Sequence, residues 1–208
     1  MGILQLNKKA WNKVGARIAS QDIKNKNYLK MFNLFCKELP KKGAVLDLGC
    51  GPGIPITKNL VKRGFSVTGI DLSEKMIKLA RKNAPNAKYQ CISMTSINFK
   101  NEFDGIISIY SMLCLNPQDF KKTAGKISKA LKKGGYFLLV LNEPQKRHKE
   151  KESYVKIMGQ KMYSRPYSEE EIKKIFKKYN MKIVRVSREI IFSKNYGKEH
   201  SLLILMKK

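Results

Sequence analysis

Apolar residues in the first forty positions recur at helical spacing. Leu6, Ala10, Val14 and Ile18 come every four residues, then Tyr28, Phe32, Phe35 and Leu39 every three to four, which predicts two amphipathic helices. Pro40 stops the second, and Lys41-Lys42-Gly43 reads as a turn. From Ala44 the period changes. Short apolar runs at 44–48, 65–70, 88–92, 105–110 and 136–141 predict strands. Between them lie helical patterns: Ile56, Leu60 and Val61 up to Gly64; Met76, Leu79 and Ala80 behind a capping Ser73; and Phe120, Ala124, Ile127 and Leu131, closed by Gly134-Gly135. Strands alternating with helices predict a parallel sheet covered on both faces.

The tail departs from this rhythm. Residues 143–161 are polar, highly charged and weakly periodic. Ser168 and Glu171 then make a capping box for a helix with Ile172, Ile175, Phe176 and Tyr179 on one face. Two closing strands are expected at 181–192 and 201–206, joined through 193–200 as an antiparallel hairpin. The expected fold class is therefore α/β, with a doubly wound, mostly parallel seven-stranded sheet and an antiparallel C-terminal hairpin. At 208 residues a single domain is expected: helices at 1–40, a core at 41–142, an insert at 143–167, and a closing helix and strands at 168–208.

Composition changes the picture in one respect. With 42% hydrophobic and 28% charged residues the chain is that of a globular protein, but 43 basic residues against 16 acidic ones leave a net charge of +27. Such a balance suits a nucleic-acid partner, because Lys and Arg displace counterions from phosphates. Yet 36 of the basic residues are Lys and 7 are Arg, the better bidentate reader of phosphates, and the lysines run along nearly every predicted helix. Solvated helix faces and an RNA surface both stay open. No apolar run approaches the ~18 residues of a membrane span, and Asn7, Lys8 and Lys9 interrupt any signal-like core, so no membrane partner and a cytoplasmic location are expected. Cys36, Cys50, Cys91 and Cys114 form no C-x-x-C pair and read as small buried hydrophobes; no metal is expected.

The chemistry concentrates after the first strand, at Gly49, Gly51 and Gly53. Glycines there permit a tight turn and close approach of backbone to a ligand, at the place where doubly wound sheets bind cofactors. Dinucleotide-binding proteins also use such a loop, but their G-x-G-x-x-G spacing would need glycine where Ile54 stands. Asp47, two residues before Gly49, would also repel a pyrophosphate, whereas a cationic cofactor avoids that repulsion. Asp71, closing the second strand, can accept hydrogen bonds from both ribose hydroxyls of either cofactor.

The segments Val45-Leu46-Asp47-Leu48-Gly49-Cys50-Gly51-Pro52-Gly53 and Val67-Thr68-Gly69-Ile70-Asp71-Leu72-Ser73-Glu74-Lys75-Met76 resemble the first two motifs of the class I S-adenosylmethionine-dependent methyltransferases. Phe103-Asp104-Gly105-Ile106-Ile107-Ser108 and Leu131-Lys132-Lys133-Gly134-Gly135-Tyr136-Phe137 are similar to that family's fourth strand and later helix-to-strand turn. The resemblance implies a Rossmann-like methyltransferase fold, S-adenosylmethionine as cofactor and S-adenosylhomocysteine as product. It implies that backbone around Gly49, Cys50 and Gly51 holds the methionine part, that Asp71 grips the ribose, and that Leu72 and Met76 lie against adenine. Ser93 and Met94 match a position where many relatives carry an aspartate, so adenine would meet a hydroxyl or a backbone amide there. Ile109 and Tyr110 would lie near the transferring methyl.

Methyl transfer is an in-line displacement in which alignment matters most, and a general base is needed only if the acceptor must lose a proton. Tyr110, Tyr163 and Arg165 are the catalytic candidates; His148, among Lys146, Arg147 and Lys149, reads as a solvated loop residue, and Tyr163, Arg165 and Tyr167 could close over a substrate or simply lead into a helix. The chain lacks the Asn/Asp-Pro-Pro-Tyr motif of amino-methylating adenine enzymes, and no cysteine follows a proline as in pyrimidine C5-methylating enzymes. A small-molecule acceptor is expected, with an RNA acceptor or a methyltransferase-like binding module without catalysis as alternatives. The N-terminal helices and the 143–167 insert are the expected lid.

Overall fold

The computed structural model describes residues 1–15, 26–145, 154–193 and 197–208. Ile18 and His148, both singled out in the sequence, lie outside them. Helix α1 (Ile3–Val14) and helix α2 (Lys26–Glu38) precede strand β1 (Ala44–Leu48). There follow α3 (Ile56–Lys62), β2 (Ser66–Asp71), α4 (Glu74–Asn83), β3 (Lys88–Cys91), β4 (Phe103–Ile109), α5 (Pro117–Ala130) and β5 (Leu131–Asn142). The tail holds β6 (Tyr154–Ile157), β7 (Gln160–Tyr163), α6 (Glu169–Lys177), β8 (Lys182–Ser193) and β9 (Gly197–Lys207).

The main sheet runs β3-β2-β1-β4-β5-β9-β8. Strands β1 to β5 pair in parallel, whereas β9 runs antiparallel to β5 and β8 antiparallel to β9. The chain reverses direction across the sheet between β1 and β4, which opens a crevice at their C-terminal ends. Neighbouring residues on one strand serve opposite faces. Leu46, Ile106, Phe137 and Leu139 pack with Phe120, Ile127, Ile172 and Phe176 of α5 and α6, while Val45, Ile107, Leu138 and Val140 pack with Phe35 of α2 and Leu60 of α3. That alternation buries both faces and explains why the central strands read as continuous apolar runs.

Local chemistry sets the helix ends. Ser73 caps α4 by accepting from the Met76 N–H, and Ser168 and Glu171 close a reciprocal capping box at α6. Gly64, at φ 86°, ends the α3 turn with its N–H on the Val61 carbonyl. Among the described residues, no helix is long and apolar enough to cross a membrane.

Three expectations need correction. Leu131 does not finish α5 but opens β5, pairing with Phe103; the register shift between Phe103 and Gly105 accommodates the Gly134-Gly135 bend inside the strand. The weakly periodic 143–161 stretch, for which the sequence predicts no element, contributes β6 and the start of β7, a hairpin whose two-residue turn, Met158-Gly159, has both residues at positive φ. The closing hairpin is tighter than expected, since pairing runs on to Ser193 opposite Gly197, and 197–200 belong to β9 rather than to a connection.

Candidate active site at the glycine loop

The three loop glycines share left-handed backbone (φ 77°, 53° and 76°) but answer to different neighbours. A Cβ on Gly49 would stand 2.3 Å from the Cβ of Ser111, just past β4. One on Gly53 would meet the backbone of Ala80 at 3.0 Å, so Gly53 lets α4 close on the loop. Gly51 has nothing within 4 Å of that position, leaving bare backbone facing open space. The loop is tied to β2 by the Gly49 and Cys50 N–H groups, which both donate to the Ile70 carbonyl (2.8 and 2.9 Å).

Two carboxylates stand beside this loop. Asp47 is 2% exposed, and its Oδ2 accepts a 2.6 Å hydrogen bond from the Thr57 hydroxyl. Burial pushes its pKa up to about 7, against the Thr57 bond and with help from the Asp71 charge. Asp71 accepts from the Ser73 N–H at 2.8 Å and from the Gly51 N–H at 3.0 Å. Burial raises it to about 6, opposed by those backbone donors. Each oxygen keeps a lone pair free, so the carboxylate organises the loop and still has two acceptor sites to offer.

These groups lie on one cavity of about 510 Å³, within the size range of small-molecule sites. Leu4, Asn7 and Trp11 of α1 line one side, and Val155, Ile157 and Met162 of the β6–β7 hairpin another. Asn7 clamps these pieces together: its amide donates to the carbonyls of Cys114 (3.0 Å) and Tyr163 (3.1 Å) and accepts from the Tyr163 N–H (2.8 Å). On its other flank α1 is held to the start of α4 by Asn12 against Ser73 and by the Lys8–Glu74 ion pair.

Of the residues singled out in the sequence, Asp47, Gly49, Cys50, Gly51, Asp71, Leu72, Met76, Ser93, Met94, Ile109, Tyr110 and Tyr163 all line this cavity. Gly53 does not; it packs against α4. Arg165 is also outside, its guanidinium paired with Glu171 at 2.7 Å and lying over the Tyr167 ring at 4.3 Å. Tyr167 is buried in the core against Phe120, which makes the 163–167 stretch a lead-in to α6. Ser93 spends its hydroxyl on the Thr95 N–H, capping a short 3₁₀ turn. Tyr110 sits at φ 50°, and its hydroxyl shares a 2.6 Å hydrogen bond with Ser201 of β9.

The cavity also gathers residues the sequence gave no reason to pick. Asn142 at the end of β5 donates from Nδ2 to Glu199 of β9 at 3.1 Å, and both line the cavity with Tyr28 of α2. Burial raises the Glu199 pKa, against that Asn142 bond. The Oδ1 of Asn142 and the hydroxyl of Tyr28 are buried with no hydrogen-bond partner among the described residues. These contacts join positions far apart in the chain, and a local pattern carries no trace of them.

Comparison with known proteins agrees with this geometry. Residues 45–135 match a family model described as a methyltransferase domain. The putative methyltransferase YqeM of Bacillus subtilis is 34% identical over 98 residues, 45% of this chain and 37% of that protein. A ubiquinone biosynthesis O-methyltransferase of Pelagibacter ubique is 33% identical over 128 residues, 59% of this chain and 52% of the relative. The chain thus spans between a third and about half of the length of these curated relatives. Among solved structures, the Burkholderia thailandensis 1,6-didemethyltoxoflavin-N1-methyltransferase, with bound 1,6-didemethyltoxoflavin and S-adenosylhomocysteine, superposes with a TM-score of 0.76 at 16% identity, covering 98% of this chain and 88% of that one. Residues 45–135 thus match the methyltransferase domain model, and the sheet they build has the class I S-adenosylmethionine-dependent methyltransferase fold.

Proposed function

We propose that this chain is an S-adenosylmethionine-dependent methyltransferase acting on a small molecule. One observation carries the reading: two carboxylates at successive strand tips, Asp47 and Asp71, share a cavity with the bare backbone of Gly51. A cationic sulfur nucleoside fits that donor set, and a pyrophosphate does not. S-adenosylmethionine would bring a methyl group activated by positive sulfur, leaving S-adenosylhomocysteine as product. The two free acceptor sites of Asp71 suit the ribose hydroxyls, Leu72 and Met76 the adenine, and the Gly49–Gly51 backbone the methionine part. Asp47 contributes negative charge beneath the sulfonium. Ile109 and Tyr110 flank the transferring methyl, and Tyr163 closes the acceptor side.

The chain works as one domain in this reading. Residues 41–142 hold the cofactor, and α1 with the β6–β7 hairpin forms the lid that excludes water and aligns the acceptor. A reducing, cytoplasmic compartment suits the four free thiols. A small acceptor is favoured over RNA by the apolar roof from Leu4, Trp11, Ile157 and Met162 over the cavity. The test is transfer of a tritiated methyl group from labelled S-adenosylmethionine into separated metabolite and RNA fractions. Label in the metabolite fraction supports the reading, and label confined to RNA contradicts it.

A further inference from the structure

We propose that the β5–β9 side of the cavity is an acceptor site for a compact amine, held by Glu199 and Asn142; this rests on the methyltransferase reading and names its substrate class. The strand register builds the site. Asn142 of β5 lies opposite Ser201 of β9, Ser201 opposite Glu189 of β8, and Glu199 opposite Ile191, so these residues share one face of the sheet. Glu189 accepts from the Tyr28 N–H at 3.3 Å, which brings α2 onto that face.

The polar groups here are mostly acceptors awaiting donors. The Asn142 amide is oriented by its Nδ2 bond to Glu199, since the opposite orientation would set carbonyl oxygen against carboxylate. Its Oδ1 is left buried and unpartnered, a costly state that a ligand donor relieves. The Tyr28 hydroxyl, on a residue only 4% exposed that lines the same cavity, is in the same condition. Among the described residues neither Glu189 nor Glu199 takes part in a salt bridge. Among the described residues Asp47, Asp71 and Glu199 line the cavity against one basic residue, Lys156.

A ligand for this site must therefore donate at least two hydrogen bonds and carry neutral or positive charge. A hydroxyl brings one proton, whereas an amine or ammonium brings two or three. A carboxylate- or phosphate-bearing acceptor would meet like charge in a partly desolvated space. Trp11, Leu113 and Ile191 on the walls suit an apolar body behind the amine.

Trp11 is the only tryptophan in the chain and lines the cavity, so its fluorescence reports occupancy. The test titrates 2-phenylethylamine and 3-phenylpropanoate, which share a ring and a two-carbon arm, into the full chain with and without S-adenosylhomocysteine. The amine is expected to saturate with a Kd at least about tenfold below that of the acid, and Glu199→Gln to weaken the amine by about tenfold. The same variant should bind S-adenosylhomocysteine calorimetrically as the wild type does. Equal or tighter binding of the acid, or no saturable response to the amine, overturns the proposal. A wild-type protein that prefers the amine yet ignores S-adenosylhomocysteine keeps this site and overturns the methyltransferase reading instead.

Discussion

Gly49 and Gly51 adopt similar left-handed backbone, yet they should fail differently when changed. Alanine at Gly49 adds left-handed strain of about 1–2 kcal/mol and drives a methyl into Ser111, so Gly49→Ala should lose more than about 2 kcal/mol in urea unfolding. Gly51→Ala carries the same backbone strain of about 1–2 kcal/mol but meets open space, so it should cost less stability than Gly49→Ala and its further loss should fall on cofactor affinity. Equal stability of the two variants would refute that assignment. Asp71→Ala removes two acceptor sites and loosens Gly51 and Ser73 together, and S-adenosylhomocysteine binding should weaken by about 1.5–3 kcal/mol in calorimetry; an unchanged Kd takes Asp71 out of the site. The raised pKa values also have a sign. An unfolded aspartate titrates near about 3.9, whereas Asp47 holds its proton to about 7 and Asp71 to about 6. Above about pH 4 the folded protein keeps protons that the unfolded chain has released, so this part of its stability is lost as pH rises towards 7. Asp47→Asn does not titrate, and its Tm relative to wild type should climb from pH 5 to pH 8. A constant difference would show that Asp47 ionises normally.

Helix α1 depends on a few polar bonds made by Asn7 and Asn12 as well as on its packing against the hairpin. Asn7→Leu leaves three backbone groups near the cavity without this partner, and the two buried ones, the Tyr163 carbonyl and N–H, cost about 1–3 kcal/mol each. Amide exchange should speed up across Ile3–Val14 and Gln160–Tyr163 while β1, β4 and β5 stay protected; exchange that is unchanged in α1 would contradict the clamp. The central strands were legible in the sequence because burial on both faces makes them plain apolar runs, and α4 and α6 because serine caps announce them. The β6–β7 hairpin was not, since Tyr154 and Val155 are exposed and its turn carries Met158 where Asn or Asp usually stands. The start of β9 was hidden as well: Lys198, Glu199 and His200 look like a loop, although backbone pairing makes no demand on their polarity. The glycine loop and its two aspartates could be read locally, whereas the Asn142–Glu199 pair is a product of strand order alone.

At the scale of the molecule, a strongly basic surface encloses a cavity whose charged groups are mostly acidic. The surface field attracts polyanions without selecting them, so RNA affinity, where measured, should fall steeply with salt and leave S-adenosylhomocysteine binding unaffected. In the proposed reading the cavity favours positive charge, through Asp71 and, once ionised, Asp47 at the glycine loop and Glu199 across from them. That opposition between shell and interior is the core of the account, and calorimetric titration of S-adenosylhomocysteine into the purified chain tests it most directly. One saturable site, weakened in Asp71→Ala, is the predicted result. A flat titration, or saturable binding of a phosphate-bearing dinucleotide in its place, would contradict it.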